Sequence, residues 1–269
     1  MDAAARPLAI ITGGSSGIGL AVAGLLARKG CRVALVARDS ARLAAAAERL
    51  AASGAGGVMT RQADVADGAA VTAAIESLIA EGGPPLWLVT AAGIVEPGFF
   101  LDQDLARTEA QLAVNVMGTA GAVRAAVPAM VAAGRGRVVL VSSGAGLFGI
   151  AGYGGYCASK FAVRGLAEVL RVELAGTGVS VTLAVPSDTD TPQLAYEAER
   201  RPTAIAPFAG AGPVLAAEAV ARHMVAAAER GRFLSAPGLR LGVLAWLQDF
   251  ISARTAALQI RLLRRADRR

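Results

Sequence analysis

Lysine is nearly missing from this 269-residue chain: of its 27 basic residues only Lys29 and Lys160 are not arginine. Asparagine and histidine occur once each, as Asn115 and His223, and tyrosine three times. Two cysteines, Cys31 and Cys157, are too few for a disulfide framework or a cysteine-built metal cluster, so two reduced thiols in a cytoplasmic protein are expected. No uninterrupted apolar run reaches the roughly 18 residues of a bilayer-spanning helix. Met1–Pro7 is short and polar and has none of the regions of a signal peptide. Apolar residues make up 54% and charged ones 18%. A chain of this length and composition buries one large core and fits a single domain.

Net charge is missing from most of the chain as well. The total is +6, but from Leu239 onward seven arginines face only Asp249 and Asp267, a net +5. The remainder is close to neutral, which excludes a general nucleic-acid binder. At about 100° per residue, Arg254, Arg261, Arg264 and Arg265 share one arc of a helix, and Leu258, Ile260, Leu262 and Leu263 fill the rest. Apolar Leu241–Ile251, with Trp246 and Phe250, precedes them. Such a helix suits the cytoplasmic face of an anionic membrane as a peripheral contact, or equally a subunit contact. The chain thus divides into a globular part, 1–238, and a basic amphipathic helical extension, 239–269.

What is present is a strict alternation. Short β-branched runs at 8–12, 32–37, 57–61, 86–91, 137–142, 179–185 and 233–236 read as strands. Alanine- and leucine-rich stretches at 17–29, 40–53, 67–81, 105–133, 154–176 and 216–230 read as helices. Strands with no polar alternation are buried on both faces, so the pattern predicts a doubly wound α/β fold with a parallel sheet. Its ligand site lies at the carboxyl ends of the strands. Between Pro186 and Pro213, prolines, glycines and apolar residues break the rhythm and read as a lid, 186–213.

After the first strand comes Thr12-Gly13-Gly14-Ser15-Ser16-Gly17-Ile18-Gly19, opening a helix. Glycines let backbone N–H groups approach a pyrophosphate, and the helix N-terminus favours its charge. The second strand ends in Ala37-Arg38; an arginine there accommodates a 2′-phosphate, which points to NADPH. Asp39 follows at once and, with Ser40, also reads as a helix cap. Asp64-Val65, ending the third strand, bounds the adenine or forms a plain turn.

In Tyr156-Cys157-Ala158-Ser159-Lys160 the phenol and ammonium share one helix face. A nearby ammonium favours phenolate and lowers the tyrosine pKa, as an acid delivering a proton to a carbonyl oxygen requires. The fifth strand ends in Ser142-Ser143. Alternation along a strand turns Ser143 towards Tyr156 and Ser142 away. Asn115, inside the 105–133 helical stretch where propensity disfavours it, reads as a proton relay or as a polar group bonding kinked backbone.

These motifs resemble the short-chain dehydrogenase/reductase family over about Leu8 to Pro192. The resemblance implies a Rossmann-type fold and hydride transfer from NADPH to a ketone. It implies a tetrad of Asn115, Ser143, Tyr156 and Lys160, with Asn115 holding a water and Lys160 also binding the nicotinamide ribose. It implies cofactor contacts from Thr12, Gly13, Ser15, Ser16, Gly17, Ile18, Gly19, Arg38, Asp64, Val65, Ala92, Gly93, Asn115, Tyr156, Lys160, Pro186, Thr189 and Thr191. Thr189 would meet the carboxamide and Thr191 the phosphates. The family's Asn-Asn-Ala-Gly is Thr90-Ala91-Ala92-Gly93 here, which reduces bonding across the central sheet. Its Pro-Gly after the sixth strand is Pro186-Ser187. A homodimer or homotetramer built on helices 105–133 and 154–176 is also implied.

Within the family, Pro186–Pro192 and Ala158–Glu168 look like the 3-ketodihydrosphingosine reductase branch, whose substrate is a long-chain 2-amino-3-ketone. Leu194, Ala195, Ile205, Pro207 and Phe208 would line the lid for an acyl chain. Asp188, Asp190 or Glu197 would pair with the ammonium, or the aspartates would cap the helix beginning near Thr191-Pro192. A hydroxysteroid, a 3-oxoacyl thioester or carbonyls in general suit the same lid, and a non-catalytic NADPH-binding sensor is the remote alternative. Gly13-x-Ser15-x-Gly17 formally matches a hydrolase nucleophile elbow, but its only base would be His223, so that reading is rejected.

Overall fold

The structure is a computed structural model and describes residues 6–202 and 213–238; the 239–269 extension and Ile205, Pro207 and Phe208 lie outside the described residues. Along the chain run β1 (Leu8–Thr12), α1 (Gly17–Arg28), β2 (Arg32–Ala37), α2 (Ser40–Ala52), β3 (Val58–Gln62), α3 (Gly68–Gly82) and β4 (Pro85–Thr90). Next come α4 (Leu105–Leu112), α5 (Gly118–Ala132), β5 (Gly136–Val141), α6 (Gly154–Glu173) and β6 (Val179–Ala184). The last described elements are β7 (Thr189–Asp190), α7 (Pro192–Arg200), β8 (Leu215–Ala216), α8 (Ala217–Glu229) and β9 (Leu234–Ser235).

Seven strands pair in parallel in the order β3-β2-β1-β4-β5-β6-β9. Side chains alternate between the faces, so Leu8 and Ile10 join a core with α3, α5 and α6, while Ala9 and Ile11 join one with α1, α2 and α8. This is the doubly wound fold expected. The order reverses between β1 and β4, which opens a crevice at their carboxyl ends.

Two expectations change. The stretch 105–133 is not one regular helix: Ala113–Met117 forms a wider π-type turn between α4 and α5, with the Gly118 N–H reaching back five residues to the Ala113 carbonyl. The rod Leu105–Ala132 contains an 18-residue stretch apolar enough to cross a bilayer, with a mean hydropathy of 1.3. It is nonetheless a core helix, because Ala122, Val123, Ala126, Val127 and Met130 are buried against the sheet. Second, the described part of the 186–213 stretch contains regular structure. β7 pairs with β8, and Thr191 caps α7 by accepting from the Leu194 N–H at 3.2 Å, with Pro192 at the first position. The cap is Thr191 and not the neighbouring aspartates.

Candidate active site

The glycine loop after β1 is folded back on itself. Gly13 (φ 69°) packs so closely on the β4 end that a Cβ there would stand 2.6 Å from the Ala92 backbone nitrogen. Gly17 (φ 50°) carries the chain into α1, and a Cβ would meet Thr191 Cγ2 at 3.0 Å. Ser16 is the N-cap of α1 but makes no side-chain cap bond, and the first turn holds no acidic residue. Free N–H groups at a helix start, in a shape that only glycine permits, fit an anionic pyrophosphate. Ser15 and Ile18 are half-buried beside them. The lid's own cap, Thr191, leans over this loop.

Arg38 and Asp39 separate in function. The Asp39 carboxylate accepts from the Arg42 N–H at 3.0 Å and pairs with the Arg42 guanidinium at 3.4 Å, so it caps α2. Arg38 is exposed at the end of β2, with its carbonyl accepting from Gln62 Nε2. Asp64 is exposed and accepts from the Ala66 N–H at 2.9 Å, a strand-end turn, while Val65 is buried against Gly118.

Tyr156 and Lys160 enter from the first two turns of α6. The Tyr156 phenol interacts with Ser143 just past the end of β5, and Lys160 Nζ lies 5.5 Å from the phenol ring centroid. Ser142 turns the other way, its hydroxyl donating to the Lys160 carbonyl at 2.9 Å. Lys160 Nζ donates to the Val141 carbonyl at 3.1 Å. A Cβ built on Gly93 would stand 3.2 Å from Asn115 Oδ1 and 3.4 Å from Lys160 Nζ, so Gly93 keeps open the space where those groups converge. The structure therefore brings Asn115, Ser143, Tyr156 and Lys160 around one point beside the glycine loop.

Asn115 sits in the π-type turn and is buried. Its amide donates to the Ile94 carbonyl and to Ser159 Oγ, and its Oδ1 accepts from the Ile94 N–H at 2.8 Å. Its carbonyl accepts from Thr119 Oγ1 at 2.8 Å. The kink thus ties the rod to the strand-β4 loop at the same place that it presents Oδ1.

One electrostatic expectation fails. Burial pushes the Tyr156 phenol up to about 12, against the opposing Ser143 hydrogen bond. Burial also pushes Lys160 down to about 8. Desolvation sets the direction at both groups, and Nζ bonds the Val141 carbonyl instead of the phenol oxygen.

At the lid, Pro186 is buried and its carbonyl accepts from the Gly144 N–H. Thr189 is buried and donates to the Ser187 carbonyl, and Thr191 donates to the Thr189 carbonyl. Glu197, a candidate for the substrate ammonium, is committed elsewhere: its Oε1 accepts from Tyr153 at 2.6 Å and from Arg201 at 2.8 Å. Leu194 is half-buried and Ala195 exposed. A second polar contact pins the same helix, Tyr196 donating to Glu96 at 2.9 Å. Gln193, which the sequence reading passed over, is exposed on the same helix and contributes to the electrostatics of the Tyr156 phenol. Its signal was present in the Thr191-Pro192 helix start, which places Gln193 and Glu197 one turn apart. His223 Nδ1 lies 2.9 Å from Ser235 Oγ, which leaves the hydrolase reading without its base.

A model of the family described as short chain dehydrogenase matches residues 7–202. A 3-dehydrosphinganine reductase of Danio rerio is 36% identical over 233 residues, 85% of this chain and 70% of the relative. Among solved structures, an actinorhodin polyketide ketoreductase with NADPH matches with a TM-score of 0.79 and 27% identity, covering 85% of this chain and 92% of that one. A Burkholderia phymatum short chain dehydrogenase/reductase in complex with NAD matches with a TM-score of 0.80 and 29% identity, covering 94% and 97%.

Proposed function

This chain belongs to the short chain dehydrogenase family, and from that premise we propose that it reduces 3-ketodihydrosphingosine to dihydrosphingosine with NADPH, a step of sphingolipid synthesis. The observation that carries the reading is the convergence of Tyr156, Ser143, Lys160 and Asn115 beside the glycine loop. Relatedness to the Danio rerio enzyme over most of both chains supports the substrate, and exposed Arg38 supports the 2′-phosphate form of the cofactor.

The glycine loop from Thr12 to Gly19 and the bare start of α1 would hold the pyrophosphate, with Thr191 closing over it. Ala92, Gly93, Pro186 and Thr189 would flank the nicotinamide half, and Asp64 and Val65 the adenine. Bound there, the nicotinamide supplies a hydride. Tyr156, protonated throughout the neutral range because burial holds its pKa high, donates its proton to the substrate oxygen as that oxygen gains charge. Ser143 donates a hydrogen bond to the same oxygen and fixes its position. The Lys160 ammonium, 5.5 Å from the ring, stabilises the phenolate left behind. Asn115 presents Oδ1 to a water that returns the proton.

The exposed apolar side chains Leu105, Leu112, Met117, Phe161 and Val169 on the 105–132 rod and α6 support a homodimer contact there. Extension 239–269 would hold the protein peripherally on the cytoplasmic membrane face, next to a substrate that dissolves in lipid. Domain limits of 1–238 and 239–269 belong to the same reading.

The test is NADPH oxidation by purified protein with 3-ketodihydrosphingosine in detergent, beside Tyr156→Phe. Turnover that vanishes in the variant is expected. NADPH binding without turnover would move the substrate to another hydrophobic ketone.

A further inference from the structure

The lid helix α7 is fastened at both ends, and the fastening at its far end takes no part in the chemistry above. At its start, Thr191 rests on the glycine loop, where a Cβ on Gly17 would stand 3.0 Å from Thr191 Cγ2. At its end, Glu197 and Arg201 enclose the hydroxyl of Tyr153. Tyr153 donates to Glu197 Oε1 at 2.6 Å, and Arg201 Nε donates to the Tyr153 hydroxyl at 2.8 Å. Arg201 Nη2 closes the ring by donating to the same Glu197 Oε1 at 2.8 Å.

This far fastening is buried. Tyr153 is 3% exposed and sits in a small apolar cluster with Val95, Ala145, Tyr156 and Cys157. The side chains of Glu197 and Arg201 are 14% and 13% exposed. Removing one partner from an ion pair this dry leaves the other charge uncompensated. Tyr153 also stands one turn before the catalytic phenol, with the two ring centroids 6.4 Å apart, so the fastening grips the turn of α6 that presents Tyr156. The other pin on α7 is of a different kind. Tyr196 donates to Glu96 at 2.9 Å, and Glu96 pairs with an exposed Arg107. Water screens such a contact, which contributes little.

Between its two ends α7 is one short helix, Pro192–Arg200, capped by Thr191. Its first contact therefore depends on its last: Thr191 lifts off Gly17 only when the ring of bonds around the Tyr153 hydroxyl opens. We propose that Tyr153 is a positioning residue whose hydroxyl, locked between Glu197 and Arg201, holds α7 down on the glycine loop and so sets the rate of dinucleotide release. The inference rests on the cofactor seat at the glycine loop and not on the identity of the ketone. Lid opening and product release limit many enzymes of this kind, so such a latch acts on turnover without touching the reacting atoms.

The experiment uses the full chain and takes two measurements in wild type, Tyr153→Phe, Glu197→Gln and Tyr196→Phe. One is NADPH dissociation by stopped-flow fluorescence. The other is amide hydrogen exchange of α7 in the absence of cofactor, taken relative to α8 so that a general loss of stability cancels. Tyr153→Phe keeps the ring in its cluster and removes only the hydroxyl. It and Glu197→Gln are expected to speed both processes about tenfold, the scale of one hydrogen bond to a charged group. Tyr196→Phe should change them by about twofold or less. A dissociation rate unchanged in both latch variants would overturn the proposal. Faster dissociation with α7 exchange unchanged would also overturn it, because the effect would not pass through the helix. An effect of Tyr196→Phe as large as that of Tyr153→Phe would do the same, since any loosening of α7 would then suffice. A wild type that binds no NADPH would overturn the cofactor reading itself, and this inference with it.

Discussion

Ser142 and Ser143, adjacent just past the end of β5, serve opposite sides of the strand: one hydroxyl donates to the Lys160 carbonyl at 2.9 Å, and the other accepts from the Ala145 N–H at 3.2 Å and favours the Tyr156 phenolate. Ser143→Ala is expected to lower kcat/KM about 100-fold or more, the usual loss when a donor to a developing oxyanion is removed, and to cost about 1 kcal/mol of stability with the cap on the Ala145 N–H. Ser142→Ala should instead cost about 1–2 kcal/mol in urea unfolding, because a buried hydrogen bond is lost. Equal kinetic losses in the two variants would refute the division of roles.

Lys160 carries a conflict between stability and chemistry. Its folded pKa of about 8 lies below the 10.5 of free lysine, so the unfolded chain binds the proton more tightly. The burial penalty is therefore full below pH 8 and relieved as the pH climbs from about 8 to about 10.5. The gap corresponds to on the order of 3 kcal/mol. Lys160→Met should be inactive yet more stable than wild type at pH 7, by at least about 1 kcal/mol after losing the Val141 bond. That advantage should shrink at pH 9.5. Urea unfolding at the two pH values reads it, and a variant less stable at pH 7 contradicts the assignment.

Arg38 stands exposed at the end of β2, while its neighbour Asp39 caps α2. Arg38→Gln should raise KM for NADPH about tenfold, roughly the value of one charge-assisted phosphate contact. KM for NADH should stay within about twofold. Parallel rises for both cofactors would show that Arg38 does not read the 2′-phosphate.

Thr90 holds a buried hydroxyl with no partner among the described residues. Thr90→Val keeps the shape and removes the unpaired group, so unfolding free energy should stay equal or rise by about 1 kcal/mol. A loss above about 1 kcal/mol would mean that the hydroxyl is satisfied.

Most of the sheet was legible because its strands are buried on both faces and announce themselves as unbroken apolar runs; β1 and β2 match their expected limits to the residue. The candidate site was legible as a grouping because Lys160 and Asn115, which the structure places near one another, belong to residue types that the chain otherwise avoids. The π-type turn at Ala113–Met117 was not, since it costs one extra residue in a helix and leaves no compositional trace. Nor was the direction of the tyrosine pKa. Spacing along a helix puts Lys160 near Tyr156, but it cannot tell that Nζ turns to Val141 or how dry the site becomes. The contact between Glu197 and Tyr153 depends on two helices far apart in the chain, and only their packing shows it.

The scarcity of lysine makes this protein its own spectroscopic reporter. Lys29 is partly exposed and paired with Glu229 at 2.9 Å, whereas Lys160 is buried beside Tyr156. Isotope-labelled lysine therefore gives two side-chain resonances with unlike surroundings, one on the surface and one buried in the candidate active site. Ligand entry, cofactor exchange and lid opening can all be followed through the second, with the first as an internal standard and no probe attached.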